Sequence, residues 1–513
     1  MGFWPATATD LEERLTAHGR VFVHADQPAT VQDLVARSVA ERPSATAVTE
    51  VGGRSLTYEQ LWVESEALAA GLQRRYGLES GERVAMLFSN RIDLVVAVLA
   101  TLRAGGVAVT LNTKYTGREL EPQLRLSQAR VLLAEAEFWP KAAPILARTS
   151  VRHAAVSGGG DGADPLEGVR GTALREPAVA ESDPAVLMYT SGTTGISKGA
   201  LQSHTNVVTA AMTFVRCLGL GGDDRTVVAA PLFHVTGLNG QLLPILAVGG
   251  SAALLPRFDA ARLGALLAGS AATFFHAAPT IYVLTLLAAR GRATGLRVCV
   301  CGGAAVSQRT IDEVRAFAPA VDFRISYGLT ETSSPGVLTP GDGWLDRRPG
   351  AAGVAVPVNE IRTDRHGELF LRGATVIAGY DGDPDATAAA FAAGWLRTGD
   401  IGTIDDEGFV TVLDRIKDLV NRGSEKVASL EVERALAEHP AVVECAVVPR
   451  PHEVYGEVPH AVVVLCQPGA ATAEELRVFA AERLASFKVP ESVEFATELP
   501  RNPGGKVLKQ LLR

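Results

Sequence analysis

Thr190-Ser191-Gly192-Thr193-Thr194-Gly195-Ile196-Ser197-Lys198-Gly199 sets hydroxyls, glycines and a single lysine just after an apolar run at 185–188. That order predicts a strand opening into a loop. Glycines let backbone N–H groups approach an anion closely, while the hydroxyls and Lys198 add donors and charge. A polyphosphate is the guest such a loop suits. Its spacing is not that of a Walker A loop, because the fifth residue after Gly192 is Ser197 and Gly199 follows Lys198.

Four later motifs carry further chemistry: Tyr327-Gly328-Leu329-Thr330-Glu331, Thr398-Gly399-Asp400, Asp414-Arg415-Ile416-Lys417-Asp418 and Asn502-Pro503-Gly504-Gly505-Lys506. Each alone has a plainer reading. Glu331 suits the start of a helix, Arg415 a salt bridge, and Lys506 a solvated surface charge. His234 suits a hydrogen-bonded core position. Taken in this order, the motifs closely resemble the adenylate-forming superfamily of acyl- and aryl-CoA synthetases, peptide-synthetase adenylation domains and luciferases. They are most similar to its AMP-forming acyl-CoA synthetases. The resemblance runs from about residue 30 to residue 513.

The resemblance implies ATP, Mg²⁺ and coenzyme A, and it implies roles for particular residues. Thr190, Ser191, Gly192, Thr193, Thr194, Gly195 and Lys198 would hold the β- and γ-phosphates. Gly302, Gly303, Ala304, Ser326, Tyr327 and Gly328 would surround the nucleotide, with Tyr327 stacked on adenine. Asp400 would accept the ribose hydroxyls beside Arg415. Glu331 would bind Mg²⁺, since a hard cation favours carboxylate oxygen, and Thr330 would donate to the α-phosphate. Lys506 would bridge the substrate carboxylate and the α-phosphate as charge moves onto the transition state. Lys417 would be the hinge that lets a small C-terminal domain alternate between adenylation and thioester formation.

His234 would act beside the acyl pocket and pantetheine tunnel. Thr236, Leu238, Asn239, Gly302, Gly303, Ser326 and Ser333 would form the pocket walls. That small, partly polar lining points to an aryl or short-to-medium acyl acid. Arg324 would either meet a second carboxylate on the acid or make a salt bridge. Gly423, Ser424 and Lys488 fall where the family contacts coenzyme A.

Three departures from the family pattern bear on these roles. Ser197 replaces a usual proline. Ile325 stands where many members carry Asn or Gln facing the adenine amine, which leaves adenine recognition to backbone groups. Arg422-Gly423-Ser424-Glu425-Lys426-Val427-Ala428-Ser429 departs from the common Gly-Gly-Glu-Asn form, whereas Ser486-Phe487-Lys488-Val489-Pro490 keeps the CoA-ligase form. Two enzyme readings therefore stand. One is CoA ligation. The other is adenylation followed by transfer to a carrier-protein pantetheine, an amine or another small nucleophile. A catalytically silent binding protein is a third reading, opposed by the retention of Lys198, Glu331, Asp400, Arg415 and Lys506.

The elements needed to position these residues are visible as alternating periodicities. Helices are expected over 31–40, 58–76, 92–104 and 119–127, and strands over 46–50, 83–88, 107–111 and 131–134. A Gly- and Pro-rich break over 156–184 reads as a loop or subdomain linker. Strands at 185–189, 227–230, 252–255, 272–275, 296–301 and 323–327 follow, with a helix over 204–214. The texture turns β-rich from 353, and helices at 430–437 and 473–484 with strands at 442–449 and 459–465 close the chain. Near the start, Asp10 is expected to cap a helix over 11–17 that Gly19 stops.

This pattern predicts an α/β fold. Its large N-terminal domain (1–413) would have doubly wound, mostly parallel sheets plus a β-rich subdomain. A hinge at 414–417 would lead to a small, mobile α+β domain at 418–513.

Composition excludes several other classes. A net charge of −8 gives no basic footprint for nucleic acid. Cys217, Cys299, Cys301, Cys445 and Cys466 are odd in number and form no Cys-x-x-Cys pair. Free thiols in a reducing cytoplasm are therefore expected, without a disulfide or zinc framework. The uncharged stretches 226–256 and 263–289 are broken by Gly, Pro, His or Asn and read as several short buried elements rather than spans. No apolar core marks the opening residues as a secretory leader. No Gly-x-Gly-x-x-Gly fingerprint supports a nicotinamide dehydrogenase.

Overall fold

Among the described residues five sheets organise the protein, and two of them carry most of the chain. The computed structural model describes residues 2–16, 19–190, 197–269, 271–423, 425–501 and 507–513. The seven-stranded sheet runs, from one edge, Lys198–Ser203, Pro184–Thr190, Val107–Thr110, Arg83–Leu87, Val131–Glu135, His153–Ser157 and Asp164–Pro165. Only Lys198–Ser203 is antiparallel to its neighbour. The nine-stranded sheet has a parallel centre of Asp322–Tyr327, Val298–Gly302, Phe274–Ala277, Arg225–Val228, Ser251–Leu254 and Thr46–Glu50.

Helix Ile92–Arg103 explains how these sheets share a core. It is apolar almost all round and buried along nearly its whole length, as expected for a helix covered on every side. Its Leu94, Val98 and Leu102 belong to one cluster with Val84 of the first sheet and Val48 and Ala252 of the second. Local signals set the helix ends. Thr57 and Gln60 form a reciprocal capping box at the start of Tyr58–Tyr76, and Gly77 closes it in the left-handed conformation at φ 62°. Ser203 and Asn206 form the same box on His204–Leu218.

Two local expectations are corrected. The expected helix over 11–17 is instead a strand, Leu11–Thr16, paired antiparallel with Gly19–His24. The period is two rather than helical. Val21 and Val23 point inward onto Ala374 while Phe22 faces out, and β-branched residues favour that pleated setting. The stretch 156–184 is not a subdomain linker. Asp164–Pro165 extends the seven-stranded sheet, and Pro184–Thr190 rejoins the same sheet. Between them, Gly171 N–H donates to the Ala67 carbonyl at 2.8 Å, which lays the segment along helix Tyr58–Tyr76. A strand without a sequence signal of its own, Lys198–Ser203, pairs antiparallel with Pro184–Thr190 ahead of helix His204–Leu218.

Residues 359–415 build an antiparallel sheet around Trp395–Ile404. The last sheet pairs Val442–His452 with Gly456–Leu465 and is flanked by helices Ser429–Ala437 and Ala473–Ala481. The five cysteines are free thiols. Among the described residues, no helix is long and apolar enough to cross a membrane.

Gly71 tests how tightly the 158–183 segment is seated, because a Cβ there would overlap the Val169 carbonyl. Gly71→Ala is expected to lower stability by about 1–3 kcal/mol, read from the urea midpoint. An unchanged midpoint would show that the segment is loosely held.

Candidate active site

The parallel strands of the nine-stranded sheet deliver their C-terminal ends to one region, where ligands of open α/β sheets bind. Val298–Gly302 ends at Gly302-Gly303-Ala304, and Gly302 lies opposite Ser326 of Asp322–Tyr327. Gly303 and Ala304 are exposed, whereas Gly302 and Ser326 are buried. Asp322–Tyr327 then runs through Gly328 into a short turn at Thr330–Thr332. A Cβ on Gly328 would overlap the Ser334 carbonyl, so the turn folds back on itself only because that residue is glycine.

Two groups of expected site residues come together around this turn. In the first, the Tyr327 hydroxyl donates to Asp400 Oδ2 at 2.8 Å, and Arg415 Nε lies 3.3 Å from Asp400 Oδ1. Asp400 and Arg415 face each other across neighbouring strands. Burial and the adjacent Asp400 push the Tyr327 phenol well up, so it stays a donor.

In the second group, Lys198 and Glu331 meet through Tyr380, which the sequence reading did not single out. The Tyr380 hydroxyl donates to Glu331 Oε1 at 2.7 Å, and Lys198 Nζ lies 5.1 Å from the Tyr380 ring centroid. Thr190 Oγ1 donates to the Lys198 carbonyl at 3.4 Å across the hairpin. Gln202, also missed, donates from Nε2 to the Thr330 carbonyl at 3.4 Å. The only sequence cue for these two is position. Gln202 is a polar side chain directly after the apolar pair Ala200-Leu201, and Tyr380 follows Gly379 in a loop.

The acyl side differs in part from expectation. Asn239 and Ser333 are fully buried and brace the site rather than forming an open wall. Asn239 Nδ2 donates to Gln202 Oε1 at 2.8 Å and to the Ser333 carbonyl at 3.1 Å, tying the turn that carries Asn239 to strand Lys198–Ser203 and to the segment after Thr330–Thr332. Asn239 sits in a π-helical turn, Leu238–Leu242, a distortion common at functional sites. Thr236 is half-buried and Leu238 is buried.

His234 is half-buried with Nε2 unpartnered among the described residues. Burial, aided by Lys114, lowers it to about 4, so the ring is neutral at pH 7. Arg324 is not available for a second carboxylate. It is buried and holds Asp322 through Nε at 2.9 Å and Nη2 at 2.6 Å, with Nη1 on the Cys217 and Thr339 carbonyls. Ile325 packs with apolar neighbours.

The C-terminal candidates are placed as follows. Lys417 lies in the short turn Ile416–Asp418, and its carbonyl accepts from Arg513 Nη2 at 2.7 Å. Gly423 is left-handed at φ 65°, with its N–H on the Tyr455 carbonyl at 2.7 Å. Lys488 is held by both Glu431 oxygens at 2.7 and 2.8 Å, which satisfies the ammonium expected at coenzyme A. Ser191, Gly192, Thr193, Thr194, Gly195, Ser424 and Lys506 lie outside the described residues. Arg501 and Val507, which flank the Lys506 loop, form a bridge. Arg501 Nη1 reaches Thr280 Oγ1 at 3.3 Å, beside the end of strand Phe274–Ala277.

Comparison with known proteins identifies the family. Residues 35–381 match the family described as AMP-binding enzyme, and residues 431–506 match the AMP-binding enzyme C-terminal domain. A feruloyl-CoA synthase of Amycolatopsis is 35% identical over 92% of this chain and 96% of that protein. A 2-succinylbenzoate–CoA ligase of Bacillus velezensis is 36% identical over 90% of this chain and 93% of its own length. Among solved structures, the O-succinylbenzoate coenzyme A synthetase of Bacillus subtilis with ATP and magnesium ion superposes with a TM-score of 0.82. It is 30% identical and covers 93% of this chain and 98% of its own.

The buried histidines give a pH signature. Burial lowers His204, whose Nδ1 accepts the Val31 N–H at 3.2 Å, to about 4, and lowers His276 to about 4 as well. In the unfolded chain such groups titrate near ~6.5. Between these values the unfolded chain binds more protons, so this contribution to stability is complete above about pH 6.5 and lost as pH falls toward about 4. The urea midpoint should therefore fall from pH 7 to 5, and His204→Gln should flatten that fall. A variant that keeps the parent slope would contradict the assignment.

Proposed function

The chain belongs to the AMP-binding enzyme family, and from that premise we propose that it is an AMP-forming carboxylic acid–CoA ligase. ATP and an acid give acyl-adenylate and pyrophosphate, and the thiol of coenzyme A then displaces AMP to form the thioester. One observation carries the reading. Tyr327, Asp400 and Arg415 on one side, and Lys198, Tyr380 and Glu331 on the other, converge on the single turn at 327–332.

In this reading Asp400 meets the ribose, and Lys198 with the Thr190–Gly195 residues meets the β- and γ-phosphates. Thr330 donates to the α-phosphate. Neutral His234 lines the route of acid and thiol without adding charge beside them. The site suits Mg²⁺: Glu331 offers hard carboxylate oxygen. Among the described residues no group of three or more His, Cys, Asp or Glu is placed to hold a metal ion, so such an ion would complete its shell with phosphate oxygens and water. Glu331 would hold it, and it would neutralise charge on the triphosphate.

Lys506, on a small domain over 418–513, supplies the positive charge at the reacting carboxylate, and Lys417 absorbs that domain's rotation. The acid is aryl or short-to-medium acyl, a reading that rests on the small, partly polar Thr236, Gly302, Gly303 and Ser326. Transfer to a pantetheine on a carrier protein, or to an amine, is favoured instead by one feature: Lys488 is already paired with Glu431.

An acid panel scored by AMP formation, with and without coenzyme A, tests the reading. Acid-dependent AMP that rises with coenzyme A is expected. AMP release that responds only to a carrier protein or amine moves the acceptor elsewhere, and no acid-dependent release of pyrophosphate rejects adenylation. Lys506→Ala should slow pyrophosphate exchange by ~10²–10³ while retaining thioester formation from supplied acyl-adenylate. Near-normal exchange would refute the role. Lys417→Pro should slow thioester formation more than adenylation, and equal losses would count against the hinge.

A further inference from the structure

Tyr380 touches both charged groups of the phosphate side, and its own backbone is fastened to the hairpin. It forms a bridge with Ala200, and the next residue, Asp381, donates its N–H to the Gly199 carbonyl at 2.8 Å. Asp381 is in turn held by Arg83 Nη2 at 2.5 Å, and Arg83 Nη1 is anchored on the Ser127 carbonyl at 3.1 Å. Tyr380 N–H donates to Thr387 Oγ1 at 2.9 Å, and the Ile377 N–H donates to the Glu331 carbonyl at 2.9 Å. The backbone that carries the phenol is thus fixed from three directions by protein contacts alone. Its hydroxyl occupies Glu331 Oε1, and Oε2 accepts no hydrogen bond among the described residues. Its ring lies within cation–π reach of the Lys198 ammonium.

We propose that Tyr380 is a positioning residue for the cation of the bound nucleotide: it ties up one oxygen of Glu331 so that the other is presented to a divalent ion, and it rests Lys198 on its ring beside the phosphate path. A carboxylate without that bond can rotate or turn both oxygens to solvent. Outer partners that orient a ligating group typically set metal affinity by about 10–100-fold. The inference rests on the adenylation reading and deepens it.

Calorimetric titration of the full chain with ATP, in chelator and again with excess Mg²⁺, separates the two roles. The parent protein should bind ATP more tightly with Mg²⁺. Tyr380→Phe keeps the ring and loses the hydroxyl, so chelated ATP should bind within about 2-fold of the parent, while the Mg²⁺-dependent gain should shrink about 10-fold. Tyr380→Ala should also weaken chelated ATP by about 2–5-fold, as expected for loss of a half-buried cation–π contact. Glu331→Gln should remove the same gain, and the double variant with Tyr380→Phe should lose little more, because the two act through one another. A Tyr380→Phe protein with the parent's full Mg²⁺-dependent gain overturns the inference alone, and so do independent, additive losses. A parent protein that binds no ATP overturns the adenylation reading and this inference with it.

Discussion

The bridge between Ala200 and Tyr380, backed by Asp381 N–H on the Gly199 carbonyl, holds the candidate site together. A triphosphate and a carboxylate repel each other, so any protein that joins them must gather cations and oriented donors before they arrive. Here Lys198 belongs to the edge of one large sheet and Glu331 to a turn after a central strand of the other. The few backbone contacts around Tyr380 bring them into register. Helix Ile92–Arg103, buried between the sheets, sets the spacing that makes this possible.

The site is also where the fold tolerates unfavourable local features. Ser333 and Ser334 have φ of 51° and 113°, left-handed values that serine adopts at some cost. Asn239 Oδ1, Ser333 Oγ and His234 Nε2 are buried without partners among the described residues. An unpaired buried polar atom costs about 1–3 kcal/mol. Such features cluster at functional sites because the surrounding structure holds them in place. Asn239, by donating to both Gln202 and the Ser333 carbonyl, keeps this strained corner in one arrangement.

Much of this was legible in the sequence where the signal is local. Tyr58–Tyr76 is bounded by a Thr57–Gln60 box and Gly77, and the alternating texture gave away the parallel strands. The order of motifs pointed to Lys198, Glu331, Asp400 and Arg415, and their family is shared with CoA ligases. What stayed hidden depends on contacts between residues far apart in the chain. Tyr380 has no periodicity or charge to mark it, and its meaning comes from Glu331, 49 residues earlier. Arg324 and Lys488 look like ligand-seeking cations until Asp322 and Glu431 are seen to hold them. The strand at Leu11–Thr16 was misread because its acidic and basic residues fit a helix as easily as an exposed edge, and only its pairing with Gly19–His24 decides.

The most direct measurement is a crystal structure of the protein with a non-hydrolysable ATP analogue and Mg²⁺. The account expects the triphosphate between Lys198 and Glu331 and the ribose on Asp400. A nucleotide bound away from all three residues would contradict it.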